Sequence, residues 1–224
     1  MKRTIVQTGD GSTTIHLPEW EESYHSKHGA VQEAYHVFIH SGLSLFDGMS
    51  IAVLEIGLGT GLNAFITWLE HHKRSQTIDY VGVEAYPVQL KEAALMNYPA
   101  ALDAIEHQAV FDQIHALKWE QCHALSPEFK MTKRQQFFQD IMDIDRFDLI
   151  YFDAFGFRVQ PELWDVVIFQ KMYTALRNGG VLVTYACRTS IKKAMLEVGF
   201  EVEKLPGAPG KREMLRAIKN KLKR

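Results

Sequence analysis

The chain has few cysteines and lacks long apolar runs. Cys122 and Cys187 are its two cysteines among 224 residues. They are too few for a disulfide framework, and no histidine cluster gives them metal-ligand spacing. No run of about 18 apolar residues is present, as a transmembrane helix would need, and the N-terminus lacks the apolar core of a signal peptide. These absences predict a cytoplasmic protein with reduced thiols and no membrane partner.

The composition is that of one folded unit. Hydrophobic residues make up 46% of the chain, and its length suits one core with a small appendage better than two full domains. We expect an N-terminal hairpin and helix extension over residues 1–45 and a larger domain over residues 46–224. The ten histidines form no spacing that specifies a metal site, and no obligate protein partner is evident.

Charge is distributed unevenly along the chain. The net charge is −2, but residues 188–224 hold eleven Lys or Arg against four Glu, whereas residues 1–187 hold 14 basic against 23 acidic residues. A basic C-terminal end beside a small-molecule pocket is what binding of a phosphate backbone would need. A solvated, merely soluble tail is the alternative that charge alone leaves open.

The segment EIGLGTGLN, residues 55–63, predicts a ligand pocket. It joins an apolar run, residues 51–56, to a helical pattern through Gly57, Gly59 and Gly61. Glycines let the backbone bend sharply and approach a ligand, and the helix start offers unpaired N–H groups. Dinucleotide-binding turns follow the pattern GxGxxG, whereas this turn is GxGxG preceded by Glu55. That spacing resembles the first motif of S-adenosylmethionine-dependent methyltransferases.

The order of elements predicts an α/β fold. A GDGS turn at residues 9–12 lies between two β-branched runs and predicts a hairpin, and residues 29–43 have helical periodicity. Core strands are expected at residues 51–56, 79–84, 105–111, 147–152, 180–186, 199–204 and 213–218. Helical patterns between most of them indicate a doubly wound, mostly parallel seven-stranded sheet. The short loop LPGAPGKR makes the last strand antiparallel, and residues 126–139 suggest a short extra hairpin.

Three acidic residues follow strand regions and so belong at the carboxyl edge of the sheet, where ligands bind in such folds. Glu84 could accept hydrogen bonds from both ribose hydroxyls. Asp140 could accept from the adenine amino group. Asp153 ends the fourth strand region, next to the reacting methyl group in this fold, and a carboxylate there can orient an amine and receive its proton.

The combined pattern resembles the methyltransferase domain of the MnmC family and its stand-alone MnmD-type relatives. The resemblance covers residues 23–218 and rests on YHSKHGAVQEAYHVF, EIGLGTGLN, GVEAYP, FQD, YFDAF with PELW, LRNGGVLVTY, LEVGF and PGKREML. It implies a class I methyltransferase fold (Rossmann-like) that uses S-adenosylmethionine. It also implies methylation of the aminomethyl nitrogen on carbon 5 of a tRNA wobble (2-thio)uridine, giving 5-methylaminomethyl-(2-thio)uridine.

The resemblance also assigns roles to individual residues. Asp153 would be catalytic. In larger family members a flavin-dependent oxidoreductase domain follows, and a chain that ends at Arg224 is expected to bind no flavin and no metal. The cofactor set would comprise Glu55, Gly57, Gly59, Thr60, Gly61, Asn63, Glu84 and Asp140. The substrate set would comprise Tyr24, Ser26, Glu33, Arg158, Lys211 and Arg212.

One segment departs from the family pattern. Relatives commonly have Ala or Ser followed by Pro after the strand-end acid, whereas this chain has Gly156, Phe157 and Arg158. Loss of the proline frees the backbone and puts the shape of the amine pocket in doubt. Two alternatives therefore stay open: methyl or aminopropyl transfer to a small amine, and a non-catalytic tRNA-binding relative.

Overall fold

The first elements of the chain form a small antiparallel sheet. The structure is a computed structural model that describes residues 2–220. Strand β1 (Thr4–Gln7) pairs with β2 (Thr13–Leu17), and β2 pairs with β3 (Glu22–Ser23). The predicted hairpin around the GDGS turn is confirmed. Ile15 and Leu17 of β2 are buried in the same apolar cluster as the central strands, so this sheet packs on the main core.

The periodic segment after the small sheet is helical, as predicted. Helix α1 (Ala30–Ala34) continues as one turn of π-helix (Tyr35–His40), and a 3-10 turn follows (Leu43–Phe46). Val37 and Phe38 are buried against the main sheet, and Phe38 contacts the ring of Tyr151 at 5.0 Å between centroids. The proposed boundary between residues 45 and 46 stays a prediction.

Within the part of the chain that the structure describes, the main sheet has eight strands. Its strands and the intervening α-helices are β4 (Ser50–Ile56), α2 (Leu62–Lys73), β5 (Thr77–Val83), α3 (Leu90–Ala93), α4 (Tyr98–Ala101), α5 (Gln108–Ala116), β6 (Cys122–Ser126), β7 (Phe129–Arg134), β8 (Phe147–Phe152), α6 (Val166–Ala175), β9 (Leu176–Thr184), α7 (Thr189–Val198), β10 (Phe200–Pro206) and β11 (Glu213–Lys219).

The strand order is β10-β11-β9-β8-β4-β5-β7-β6. The five strands from β9 to β7 run parallel, whereas β11 is antiparallel to both neighbours. The α/β class and the reversed last strand are therefore confirmed. The count of seven was one strand short, because β6 pairs antiparallel with β7 and adds a strand at the edge.

The prediction of a strand at residues 105–111 is wrong. A 3-10 turn (Ile105–His107) leads there into α5, in which Phe111 and Ile114 are buried and the intervening side chains face outward. That spacing of three residues is helical. The third parallel strand is instead β7, which lies within residues 126–139, where the sequence suggests a short extra hairpin. A hairpin is present there, but its first strand, β6, begins at Cys122, before the predicted interval.

Both faces of the sheet are covered. One apolar cluster joins the sheet to α2, α5 and the N-terminal elements, and a second joins it to α6 and α7. Because both faces are packed, the open carboxyl edge of the parallel strands is where a ligand can enter. Among residues 2–220, no helix combines the length and apolar composition needed to span a bilayer.

Candidate active site

The turn between β4 and α2 has the backbone that its glycines predict. Gly57, Gly59 and Gly61 have φ of +88°, +50° and +74°, a region that side chains rarely adopt. Gly57 also lies against the next strand end, since a Cβ there would stand 2.6 Å from the carbonyl oxygen of Asp153. Glycine is therefore needed at residue 57 both for its φ and for the close approach of two chain segments.

Glu84 is bound to this turn at the end of β5. Its Oε2 accepts a hydrogen bond from the Gly59 N–H at 3.0 Å, and its Oε1 accepts one from the Tyr86 N–H at 2.9 Å. Each carboxylate oxygen can accept a further hydrogen bond. The hydrogen bonds thus hold the glycine turn and the Glu84 carboxylate in place without a ligand.

Asp153 and Glu55 are bridged by one amide. Asn63 Nδ2 donates to Asp153 Oδ2 at 2.9 Å and to Glu55 Oε1 at 3.0 Å, and Tyr80 donates its hydroxyl to Glu55 Oε2 at 2.8 Å. Burial raises the pKa of the Asp153 carboxyl to about 7, and the charge of Glu33 adds to this effect, against the Asn63 hydrogen bond and Lys211. Asp153 can therefore take up or release a proton near neutral pH.

A cavity of about 950 Å³ contains most of the predicted site. It lies between the glycine turn, the strand ends, the segment after β2 and the loop between β10 and β11. The structure brings together these predicted residues along its wall: Tyr24, Ser26, Glu33, Gly57, Gly59, Thr60, Asn63, Glu84, Asp153, Arg158, Lys211 and Arg212.

Three predicted residues lie outside this wall. Glu55 is completely buried behind Asn63, and Gly61 is the N-cap of α2 and lies beside the ring of His115. Asp140 is exposed at the end of a 3-10 turn (Phe138–Asp140), while the neighbouring Phe137, Phe138 and Gln139 line the cavity. The buried Glu55 thus positions the Asn63 side chain and does not itself line the cavity. The adenine contact of Asp140 stays a prediction.

Aromatic residues that the sequence analysis did not single out line the other half of the cavity. Phe155 contacts Trp20 and Tyr24 edge-on, with ring centroids 5.6 and 5.0 Å apart. Tyr185 follows β9 and donates its hydroxyl to the carbonyl of Ala154 at 2.8 Å. Phe155 is two residues after Asp153, and Tyr185 directly follows β9. Their position just after strand ends is the sequence signal that could have identified them as cavity residues.

The altered loop after Asp153 is tied to the N-terminal segment. Arg158 donates to the carbonyl oxygens of Trp20 at 2.9 Å and Glu21 at 3.3 Å, and its guanidinium lies 3.6 Å from the Glu22 carboxylate. These contacts hold the loop after Asp153 against the N-terminal segment.

The two basic residues between β10 and β11 have different surroundings. Lys211 forms an ion pair with Glu33, whereas Arg212 is exposed at the cavity wall. The last basic residues of the predicted tail, at positions 221, 223 and 224, lie outside the described residues. Of the basic loop, Arg212 is thus the side chain more open to an external phosphate.

A family model described as S-adenosyl-L-methionine-dependent methyltransferase matches residues 103–220, which is more than half of the chain. The chain belongs to this family. The match begins after the glycine turn and includes Asp140, Asp153 and the basic loop. The methyltransferase fold and the use of S-adenosylmethionine that the sequence predicted are thereby confirmed.

Two curated proteins that are similar to this methyltransferase share one name. The chain is 29% identical over 232 residues to the "tRNA 5-methylaminomethyl-2-thiouridine biosynthesis bifunctional protein MnmC" of Acidovorax sp. (strain JS42), covering 97% of the chain and 35% of that protein. It is 30% identical to the protein of the same name from Paracidovorax citrulli, covering 89% of the chain and 33% of that protein. The resemblance to the MnmC family is confirmed, and the chain spans about a third of these relatives' length.

Solved structures confirm the fold of this methyltransferase. MNMC2 from Aquifex aeolicus has a TM-score of 0.77 at 19% identity, with 96% of this chain and 69% of that chain covered. Spermidine synthase from Thermotoga maritima has a TM-score of 0.59 at 14% identity, with 97% and 72% covered. At these identities the likeness is one of fold.

Tertiary structure assembles one candidate cation cluster in the described part of this methyltransferase. His71, His72 and Glu128 place three ligand atoms within 4.8 Å of one another. None of these residues lines the cavity at the carboxyl edge. The expectation of no bound metal stays a prediction.

Replacing Gly57 by alanine should lower both the affinity for the cofactor and the stability of the folded protein. The added Cβ would push the turn away from the Asp153 carbonyl and strain a positive φ, at a cost of about 1–3 kcal/mol. Gly48→Ala is the matched control, since Gly48 has φ +74° but nothing within 4 Å of the added Cβ. Calorimetric titration with S-adenosylmethionine and thermal unfolding would measure both effects. Equal losses in the two variants would contradict a role for the close approach.

Proposed function

We propose that this methyltransferase methylates the aminomethyl nitrogen on carbon 5 of a wobble uridine or 2-thiouridine in tRNA, forming 5-methylaminomethyl-(2-thio)uridine. The observation that carries the proposal is Asp153, a carboxylate with a pKa near 7 at the strand end inside the cavity. The tRNA product in the name of the curated relatives supports the choice of acceptor.

In this proposal the glycine turn and Glu84 hold S-adenosylmethionine. The carboxylate of Glu84, already fixed by two backbone N–H groups, accepts hydrogen bonds from the ribose hydroxyls. Backbone at Gly57 and Gly59 approaches the ligand closely because no side chain intervenes. Thr60 and Asn63 complete this part of the wall, and the cavity volume lies within the range of small-molecule sites. When bound, the cofactor supplies a methyl group on a positively charged sulfur.

Asp153 prepares the acceptor nitrogen. An alkylammonium has no lone pair and cannot attack, so it must lose a proton before methyl transfer. A carboxylate with a pKa near 7 can accept that proton and hold the amine in line with the methyl group. Tyr24, Ser26 and Glu33 would enclose the nucleoside from the side of the N-terminal segment, and Arg158 would do so from the loop after β8.

The decisive experiment supplies labelled S-adenosylmethionine and tRNA from cells that lack wobble-uridine methylation. Nucleoside mass spectrometry should show 5-methylaminomethyl-(2-thio)uridine appearing with enzyme and cofactor together. No gain of this nucleoside would sink the proposal. Methylation or aminopropylation of small amines without RNA would favour a polyamine-synthase-like activity. Binding of tRNA without consumption of the cofactor would identify a non-catalytic relative.

Binding of tRNA should weaken as salt rises, by about tenfold or more between low and physiological ionic strength if several phosphates are contacted. Arg212→Ala should lower the slope of log affinity against log salt by about one, because one phosphate contact is lost. Lys130→Ala is the control, since Lys130 is exposed on β7 and does not line the cavity. Fluorescence anisotropy at several salt concentrations measures the slope, and a salt-independent affinity would remove the electrostatic argument.

A further inference from the structure

An ion pair between the buried Glu33 and the half-buried Lys211 lies at the cavity wall near Asp153. Glu33 in α1 is only 8% exposed, and its Oε2 accepts a hydrogen bond from the Ser26 N–H at 3.0 Å. Its Oε1 accepts a hydrogen bond from Lys211 Nζ. A carboxylate that is largely removed from water is stabilised by such partners. The pair connects the N-terminal segment to the loop between β10 and β11.

Lys211 is held on a second side as well. Its ammonium lies 3.9 Å from the centroid of the Tyr185 ring, a cation–π contact. The Tyr185 hydroxyl is in turn bound to the carbonyl of Ala154, the residue after Asp153. The ion pair is thus fixed to the segment that carries Asp153.

Charged and titratable groups surround Asp153 from several elements. Asn63 of α2 donates a hydrogen bond to it, and the buried Glu55 of β4 lies behind that amide. Glu33 of α1 and Tyr185 after β9 interact with it electrostatically, as does Lys211. Of the two members of the ion pair, Glu33 raises the pKa of Asp153 and Lys211 lowers it. Their effects are opposite, so each can be tested separately.

We propose that Glu33 and Lys211 are positioning residues that select a cationic primary amine for Asp153. Glu33 places a second negative charge beside Asp153, which attracts an ammonium and disfavours an acceptor whose amine carries a carboxylate. Lys211 balances part of that charge through its ion pair with Glu33. This inference rests on the proposed methyl transfer to an amine.

Methyl transfer to the amine would use Asp153 as the proton acceptor. The ammonium gives one proton to Asp153, and the freed lone pair of the nitrogen forms the new nitrogen–carbon bond. The sulfur–methyl bond breaks, and its electron pair stays on sulfur as S-adenosylhomocysteine. The product is a cationic secondary amine. Asp153 then releases its proton to water, which a pKa near 7 permits.

The first test needs no substrate. Carbon-detected NMR of the side-chain carboxyls would follow the titration of Asp153 in the whole enzyme and in two variants. Glu33→Gln should lower the pKa of Asp153, and Lys211→Met should raise it, each by about one unit. Lys211 lies on a loop, so its variant keeps the test usable if Glu33→Gln unfolds. Shifts in the same direction, or none, would overturn the proposal.

Glu22→Gln is the matched control. Glu22 also lines the cavity and pairs with Arg158, but it is not among the groups that shift Asp153. The pKa of Asp153 should therefore stay as in the unmodified enzyme. If Glu22→Gln shifted the pKa of Asp153 as much as Glu33→Gln does, the effect would come from the overall charge of the cavity. The assignment to Glu33 would then be overturned.

The second test uses tRNA. Glu33→Gln should raise the KM for the acceptor about tenfold, as expected for the loss of one charged contact, with a smaller change in kcat. A loss confined to kcat would contradict attraction of the ammonium. If tRNA is not methylated at all, the proposed function fails, while the NMR titration still decides whether the pair controls Asp153.

Discussion

Asp153→Asn should lower kcat about 10²- to 10⁴-fold, the range for loss of a general base. An amide cannot accept the proton of the ammonium, so the nitrogen lone pair is not released. The carbonyl oxygen of the introduced amide can still accept the hydrogen bond from Asn63, and Glu84 and the glycine turn are unchanged. Affinity for S-adenosylmethionine, measured by calorimetry, should therefore stay close to that of the unmodified enzyme.

The pH profile separates this role from a structural one. In the unmodified enzyme kcat/KM should fall about tenfold per unit as pH drops below about 7, because Asp153 is then protonated. The limb assigned to Asp153 should be missing from the Asp153→Asn variant. Near wild-type turnover of the variant, with intact cofactor binding, would refute a catalytic Asp153.

The same pKa predicts the effect on stability. Folding raises the pKa of Asp153 from 3.8 to about 7, so between these pH values the native state binds this proton more than the unfolded chain does. The stability from this group is complete below about pH 4 and is lost as pH rises to about 7. Asp153→Asn should then be at least as stable as the unmodified protein at about pH 8, so its inactivity would not reflect unfolding. Thermal melts at about pH 5 and about pH 8, on either side of the shifted pKa, check this.

Glu84→Ala should weaken S-adenosylmethionine binding by about 100-fold or more, since two charge-assisted hydrogen bonds are worth about 3 kcal/mol or more together. The effect has a second source. The Gly59 and Tyr86 N–H groups lose their acceptor, and the turn that approaches the ligand loses its fixed position.

Calorimetry on a graded pair of variants tests this assignment. Glu84→Gln keeps one carbonyl acceptor and the shape of the side chain but removes the charge, so its dissociation constant should lie between those of the unmodified protein and Glu84→Ala. An unchanged affinity in Glu84→Ala would show that the ribose is held elsewhere.

Local signals made part of the site predictable. Glycines that need positive φ and acids that directly follow apolar runs are properties of a few adjacent residues, so Gly57, Gly59, Glu84 and Asp153 could be placed at one edge before any coordinates. The doubly wound arrangement followed from the alternation of elements and the handedness of crossovers.

Predictions failed where the signal depends on distant partners. Residues 105–111 are apolar enough for a strand, but Phe111 and Ile114 pack against α2 as one face of a helix. The β6–β7 hairpin could be suspected from sequence, but its pairing with β5 needs Phe129 to meet Ile78 across the sheet. Neither the helical conformation of residues 105–111 nor the pairing of β7 with β5 can be predicted from a local sequence pattern.

By itself the sequence determined the fold class, the glycine turn and the acids at the strand ends, because each depends on backbone conformation and on short-range periodicity. Only the tertiary structure decided which side chains meet. It buried Glu55 behind Asn63, left Asp140 at the surface, and paired Lys211 with Glu33 across 178 positions of sequence. It also raised the pKa of Asp153 toward neutrality, since that shift comes from burial and from charges that only folding brings close.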